Sequence, residues 1–547
     1  MRAVSFVAVL LASASLSTLA VGQDSGFDAA RLNEHVRVLS DDSFEGRGIA
    51  TPAEDKVIAY LSEQYAAAGF QPGGENGGWT QAVTLNRFTV SNMHGALKLG
   101  DWSLPLVQGQ QIVASTRLPG AAVDLKDAPL VFVGYGVKAP ERNWDDFKGQ
   151  DLKGKILVVL VNDADFEEPA LDTFGGKAMT YYGRWTYKYE EAARQGAAGV
   201  IIVHETAPAS YGWATVTNSW TGPQFDIVRT NAAAERVPLE SWVQRDVAVD
   251  LFQRAGLDFE ALKVQARSRD FQPTPLTGVT LDMKFDVATS QITTHNIIAR
   301  LPGTTHPDET ILYTGHWDHL GTAEATADSD GIFNGAVDNA TGTAGLIEMA
   351  RLYGAGPRPQ RSIVMLSFTA EESGLLGSEY YAANPIYPLE KTVAGFNQDA
   401  MNVYGRVTKL GVVGYGQSDL DERMQVVAEA QGRAIQPDGN PAAGGYFRSD
   451  HFPLAKRGVP MAYAEGGGEF RDEPIAPRIA ARDEYGEKRY HQADDEWSAE
   501  WDLNGQIEDL EVYYRIGHEL ANSRDWPAWK SGSEFGPVRA ASDAVRR

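Results

Sequence analysis

The sequence contains no cysteine, which excludes disulfide staples, thiolate metal sites, cysteine nucleophiles and a lipidated N-terminal cysteine. Any metal must therefore be held by His, Asp and Glu. Positive charge is also scarce: 49 Lys and Arg face 73 Asp and Glu, a formal charge of -24. Such an excess repels a phosphate backbone over most of the surface and excludes nucleic acid as a partner. Past the N-terminus there is no run of about 18 apolar residues, so no membrane span is expected in the mature chain. What is plentiful is apolar side chains, 43% of 547 residues, enough for more than one domain with its own core. Disordered, collagen-like and coiled-coil classes are excluded by the same composition.

The first residues differ from the rest. Arg2 precedes an apolar stretch over residues 4–19, too short to span a bilayer, and Ala20-Val21-Gly22 supplies the small residues a signal peptidase needs. The chain is expected to be exported, periplasmic or secreted, after cleavage near Gly22. Residues 28–70 then read as helical, with Leu32, Val36 and Leu39 on one stripe and Val57, Ile58, Leu61 and Tyr65 on another, separated by a loop at Glu45-Gly46-Arg47-Gly48. After Trp79 the texture becomes short alternating strands. Residues 128–271 look self-contained, with strands at 130–133, 155–161 and 199–203 and a helix over 187–195 stopped by Gly196.

From Thr294 strands and helices alternate regularly. Strands are predicted at 296–300, 310–314, 361–368, 393–398, 409–413 and 459–464. Helices are predicted at 343–353, 375–383, 419–431 and 504–523, with Gly354 and Gly432 as C-terminal stops. The fold class is α/β: a mainly parallel central sheet covered by helices on both faces. Ligands in such sheets sit at the carboxyl ends of the strands.

Reactive residues cluster there. One strand runs into Gly315-His316-Trp317-Asp318-His319, another into Thr369-Ala370-Glu371-Glu372 and a third into Asp399, while Asp338 precedes a helix. Singly, His316 reads as a hydrogen-bonded core histidine, Asp338 as a helix cap, and Glu371 with Glu372 as a solvated helix start. Convergence of four such sites at one rim is what those readings leave unexplained. Paired divalent ions need terminal ligands plus a shared carboxylate, and His and Asp supply them. Asp318, two residues beyond His316, is placed to accept its other ring N–H and fix the tautomer. Of two adjacent glutamates, one can face a metal and the other a water that must lose a proton. His319 is given no role.

The motifs Gly315-His316-Trp317-Asp318, Gly335-Ala336-Val337-Asp338-Asn339-Ala340-Thr341-Gly342, Glu371-Glu372-Ser373-Gly374-Leu375-Leu376-Gly377-Ser378, Asn397-Gln398-Asp399 and Tyr490-His491 resemble the M28 family of co-catalytic zinc peptidases, the aminopeptidase Y and glutamate carboxypeptidase group. The likeness extends over about residues 296–523, and residues 45–69 resemble the start of that domain. Residues 128–271 are similar to a protease-associated (PA) domain, which that family often carries as an insertion. The resemblance thus implies a zinc-exopeptidase fold with an inserted smaller PA-like β/α domain. The expected division is a signal peptide at 1–22, an N-terminal part of the peptidase domain at 24–127, the PA-like domain at 128–271, the catalytic domain at 272–530 and a C-terminal tail at 531–547.

Carried over by position, the resemblance implies two Zn2+ ions, one held by His316, Asp338 and Asp399, the other by Asp338, Glu372 and His491. It makes Glu371 the general base for a metal-bridging water and Tyr490 a phenol that stabilises the oxyanion, and implies a cis peptide after Asp338. Asp450 and His451, in Ser449-Asp450-His451, are preferred as pocket-wall groups supporting the ligands, with His491 as the metal ligand. The implied activity is peptide-bond hydrolysis on a peptide substrate, with an aminopeptidase first. A glutamate-releasing carboxypeptidase is second; a glutaminyl cyclase-like transferase and a non-catalytic homologue of the transferrin-receptor branch follow. Between 466 and 490 both signs of charge are available to read a substrate terminus: Glu469, Asp472, Arg471, Arg478, Arg482 and Arg489. The aromatic-rich run 179–187 reads either as buried core or as a wall of the cleft.

Overall fold

The computed structural model describes residues 26–120, 122–327 and 329–546. The signal peptide expected at residues 1–22 lies outside the described residues.

Arg361–Phe368 and Thr392–Asn397 are buried at every position, the mark of strands covered on both sides. His306–His316 lies between them and parallel to both, and Met461–Phe470 continues the parallel order beyond Thr392–Asn397. Antiparallel neighbours flank this group: Thr274–Leu301 on one side and Val407–Val412 on the other. Alternate residues of the strand before His316 enter different cores. Ile311 and Tyr313 pack with Leu346 and Leu510, whereas Leu312 packs with Tyr381 and Leu454. The mainly parallel, helix-covered sheet read from the alternation is thus the observed one.

The helices form where their sequences direct. Pro52–Ala67 starts with Thr51 accepting from the Ala53 N–H, Pro52 in the first turn and Glu54 and Asp55 beside the positive helix end. It buries Val57, Leu61 and Tyr65, each contributing on the order of 1.5–3 kcal/mol. Gly432 and Gly196 are left-handed stops as expected, at φ 74° and 71°. Gly354 is not a stop: the helix Gly342–Ala355 runs through it, and an added Cβ would lie 1.7 Å from the Ala68 carbonyl oxygen. Close helix packing, not chain reversal, requires that glycine.

In the inserted half, Ala122–Phe132, Ile156–Leu160, Gly199–His204 and Leu239–Gln244 form a parallel sheet edged by antiparallel Ile112–Ser115. The helix Trp185–Arg194 packs against it through Tyr189 and Ala192. The two halves share a ribbon. Thr80–Leu99 and Thr274–Leu301 pair antiparallel from Ile297↔Thr80 to Val279↔Leu99, with one bulge between Lys284 and Asp286. Here the short strands expected after Trp79 are instead a single strand of 20 residues, since a partner of matching length satisfies its polar stretches.

The halves also dock side by side. Tyr181 packs 5.1 Å from Phe452 and 6.1 Å from Phe447, ring centre to ring centre, and Lys456 reaches the Tyr181 hydroxyl at 2.7 Å and Glu190 at 2.9 Å. Burial works against the Glu190 charge, but Lys456 and Tyr181 pull its carboxyl from 4.5 down to about 2. A depressed carboxylate stabilises fully above its unfolded value and loses that contribution as pH falls through its folded value. The melting temperature is therefore expected to fall between about pH 4.5 and 2, and Glu190→Gln to remove that part of the fall. Parallel pH profiles of wild type and variant over that window would show the pair to be idle.

Candidate active site

Strand register brings the site together. His316 pairs with Phe368, and Thr314 with Asn397, so three parallel strands end at one level. Glu371, Glu372 and Asp399 follow directly. Asp338 enters from the turn Ala336–Thr341 at the start of Gly342–Ala355, and His491 from the loop after Tyr485–Arg489. Gly335, at φ 53°, leaves room there: a Cβ would meet the His319 ring at 2.5 Å.

All five residues expected as metal ligands converge. His316 Nε2 is 3.1 Å from Asp399 Oδ1 and 3.3 Å from Asp338 Oδ1. His491 Nε2 is 3.1 Å from Asp338 Oδ2 and 3.3 Å from Glu372 Oε2. The two oxygens of Asp338 thus face different histidines, as a carboxylate shared between two centres would. Glu371 stands beside them, with a carboxylate oxygen within 4.8 Å of donor atoms of His316 and Asp399. The Asp338–Asn339 peptide is cis.

Chemistry of the donors fits zinc-class dications: imidazole and carboxylate, no thiolate. The charge balance fits as well. Burial opposes charge on His316, yet Asp399 and Glu371 hold its ring well above the usual histidine value. Burial, with Glu372, Asp399 and Asp450 nearby, pushes the Glu371 carboxyl well above its usual range. So many enclosed acids without matching cations is an arrangement that bound dications offset.

Several details differ from the sequence reading. The Asp318 carboxylate is not the acceptor for His316: Nδ1 donates to the Asp318 backbone carbonyl at 3.1 Å, with Oδ1 at 3.9 Å. Either acceptor leaves Nε2 for a metal, but the Asp318 carboxylate instead accepts the Glu371 N–H at 3.2 Å, fixing the turn that carries the two glutamates. Asp450 is buried, and burial pushes it up to about 7 although His316 opposes. The hydroxyl that touches an expected ligand belongs to its neighbour: Ser449 Oγ donates to Asp399 Oδ2 at 2.6 Å. His451 turns away into Tyr446 and Tyr463, 4.7 and 5.0 Å from their ring centres. His319, given no role, is buried with Nδ1 2.6 Å from Glu372 Oε1. Asp495 accepts the Val337 and Asp338 N–H groups at 3.0 and 3.1 Å. Arg47, read only as loop, is buried and donates to the carbonyls of Trp317, Leu39, Asn334 and Gly335 at 2.5–2.9 Å.

A cavity of about 570 Å³ opens over the site, lined by Glu371, Glu372, Tyr490 and His491 on one side and by Tyr181, Arg184, Trp185 and Thr186 on the other. Tyr490 is 49% exposed and stacks on His491 with ring centres 3.9 Å apart. Partial burial and the charge of Asp338 raise its hydroxyl above the usual tyrosine value, keeping it a donor. The run 179–187 serves both expected purposes: Met179, Tyr181 and Tyr187 are buried, and Arg184 to Thr186 form wall. Arg471, Arg478 and Arg482 do not reach the cavity; they pair with Glu508, Asp502 and Asp483.

Among known proteins, the sequence profile of peptidase family M28 matches residues 296–514, and that of the PA domain matches residues 126–234. Aminopeptidase NAALADL1 of Mus musculus is 34% identical over 122 residues, 21% of this chain and 15% of its own length. A probable zinc metalloprotease of Pyrenophora tritici-repentis (strain Pt-1C-BFP) is 41% identical over 86 residues, 16% of this chain and 19% of its own length. These alignments span under a fifth of either relative. Among solved structures, an aminopeptidase from Aneurinibacillus sp. strain AM-1 superposes with TM-score 0.49 at 20% identity, over 90% of this chain and 94% of that one. Residues 296–514 of this chain thus match peptidase family M28, and residues 126–234 match the PA domain.

Proposed function

We propose that this protein is an exported di-zinc exopeptidase that hydrolyses peptide bonds, of the aminopeptidase kind. The observation that carries the reading is the Asp338 carboxylate, with one oxygen facing His316 and the other facing His491. His316, Asp338 and Asp399 would hold one ion, and Asp338, Glu372 and His491 the other. When bound, the ions would supply charge that polarises a substrate carbonyl and would lower the pKa of a bound water towards about 7.

The chain's own groups do the rest. Glu371, whose enclosure favours holding a proton, accepts one from the attacking water and delivers it to the leaving amine. The Tyr490 hydroxyl donates to the oxyanion that develops on the substrate. No covalent intermediate is formed with the protein. Export rests on Arg2, the apolar residues 4–19 and Ala20-Val21-Gly22.

A glutamate-carboxypeptidase-like reading is second, favoured by the arginines in the cavity wall. Amino-acid anilides and dipeptides with a free α-amine separate the two when assayed with zinc present. The aminopeptidase reading expects hydrolysis of the free-amine substrates and loss of activity on acetylation, because an amide cannot replace the ammonium's charge-assisted contact. Equal cleavage of acetylated peptides, with a required free C-terminal carboxylate, would overturn it in favour of the carboxypeptidase.

A further inference from the structure

The Asp399 carboxylate turns Oδ1 towards His316 Nε2, and its other oxygen is already engaged. Ser449 Oγ donates to Oδ2 at 2.6 Å, Asn397 Nδ2 donates to Ser449 Oγ at 2.7 Å, and Thr314 Oγ1 donates to Asn397 Oδ1 at 2.7 Å. The middle link gives this chain its direction. With an N–H pointing at its oxygen, the Ser449 hydroxyl has a single proton left to direct, and it goes to Asp399. Thr314, Asn397 and Ser449 are all buried, where each bond polarises the next.

Thr314 and Asn397 are register partners on adjacent parallel strands, so the sheet fixes both. Ser449 has no such support. It ends a loop between Ala434–Pro437 and the helix His451–Lys456, built of two short turns at Pro441–Ala443 and Gly445–Phe447. The inserted half holds that loop. The Met179 N–H donates to the Pro441 carbonyl at 3.0 Å, Asn162 Nδ2 reaches the Ala442 carbonyl at 3.4 Å, and Arg448 donates to Ser210 Oγ at 2.9 Å. The approach is close at Gly444, φ 68°, where an added Cβ would lie 2.5 Å from Met179 Sδ.

We infer that Ser449 is a positioning residue through which the inserted half sets the metal centre. Docking of the inserted half holds the loop, the loop holds Ser449, and Ser449 holds Asp399 with Oδ1 free for the ion it would share with His316 and Asp338. Without that hydroxyl the carboxylate can rotate away from His316. Hydrogen-bond partners of ligating groups change metal affinity by about ten- to a hundredfold, so retention of this ion should report on how well the two halves are docked. The inference rests on the two-metal reading.

The test strips the zinc-loaded full chain with increasing chelator, follows zinc release, and records the visible absorption of the cobalt-loaded form. Ser449→Ala should release one of two ions at about ten- to a hundredfold lower chelator strength, leave the other unchanged and alter the cobalt bands. Ser449→Thr, which keeps the hydroxyl, should restore both. Thr314→Val, isosteric and two links further out, should give a smaller loss of the same sign, and it replaces Ser449→Ala if that variant does not fold. Asn162 has φ 70°, which glycine adopts freely, so Asn162→Gly removes its amide without backbone strain. This change should weaken the same ion in the wild-type background and have no further effect in the Ser449→Ala background, the mark of two groups acting through one path. A lower melting temperature with zinc release and cobalt bands intact would make Ser449 merely structural and overturn the inference. Additive effects of Asn162→Gly and Ser449→Ala, or no effect of Asn162→Gly, would overturn the link to the inserted half. If wild type carries only one zinc, the two-metal reading fails, and Ser449→Ala decides the inference on that ion. If it carries none, both fail.

Discussion

Glu371→Gln is expected to lower kcat by about 10²–10⁴ while the two proposed metals stay bound, the usual cost of losing a positioned acid-base group. Glutamine keeps the shape and loses the proton-accepting charge. The neighbouring Glu372→Gln should act differently, because Glu372 Oε2 lies 3.3 Å from His491 and Oε1 2.6 Å from His319. It weakens one metal site, so metal content measured after dialysis falls before the rate constant of the loaded enzyme does. Proximity of Glu371 to His316 and Asp399 makes the comparison informative. If Glu371→Gln lost metal as readily as Glu372→Gln, Glu371 would be a ligand and the division of labour between the two glutamates wrong.

Arg47→Met is expected to cost about 3–5 kcal/mol of stability, the range for removing the charged partner of a buried polar cluster. The reason lies in what Arg47 holds. Its guanidinium satisfies the carbonyls of Leu39, Trp317, Asn334 and Gly335, which methionine leaves buried and unpaired. Burial lowers this guanidinium to about 10, and the charges of Asp495, Asp338 and Asp318 work against that, so it stays charged at neutral pH. Arg47→Lys should recover only part of the loss, since one ammonium cannot reproduce a planar fork. Trp317 and Gly335 adjoin His316 and the turn bearing Asp338, so the rate should drop along with the unfolding midpoint. Denaturant unfolding followed beside metal content checks both; a variant as stable as wild type would show the four carbonyls to be served otherwise.

How far the sequence could be read depended on where each residue's partner lies. His316, Glu371, Glu372 and Asp399 were legible because parallel strands must end in the ligand-binding rim, and each follows its strand directly. His491 comes from a loop with no period, and only the motif resemblance marked it. Arg47 and His319 were illegible for a common reason. Arg47 binds backbone carbonyls up to 288 positions away, and carbonyls carry no residue signature. His319 meets Glu372 across 53 positions, and nothing local separates it from a surface histidine. The pairing of Thr80–Leu99 was missed likewise, since its partner lies beyond the whole insertion.

That ribbon also constrains how the molecule can assemble on the ribosome. Thr80–Leu99 emerges early and can pair at once with Trp102–Leu106 at its far end, but its long partner Thr274–Leu301 is made only after the entire PA region, and until then most of that edge has no full-length ladder to join. Thr274–Leu301 in turn waits for Arg361–Phe368, and the helix Asn504–Ala521 that closes the core over Tyr313 and Phe396 is made near the end. The N-terminal helices therefore cannot complete a core cotranslationally. Folding is dominated by contacts distant in sequence, the regime of slow and aggregation-exposed refolding. Under the export proposed above, with the chain held unfolded until it has crossed a membrane, this order of synthesis would impose no penalty, because every strand would arrive before any pairing began.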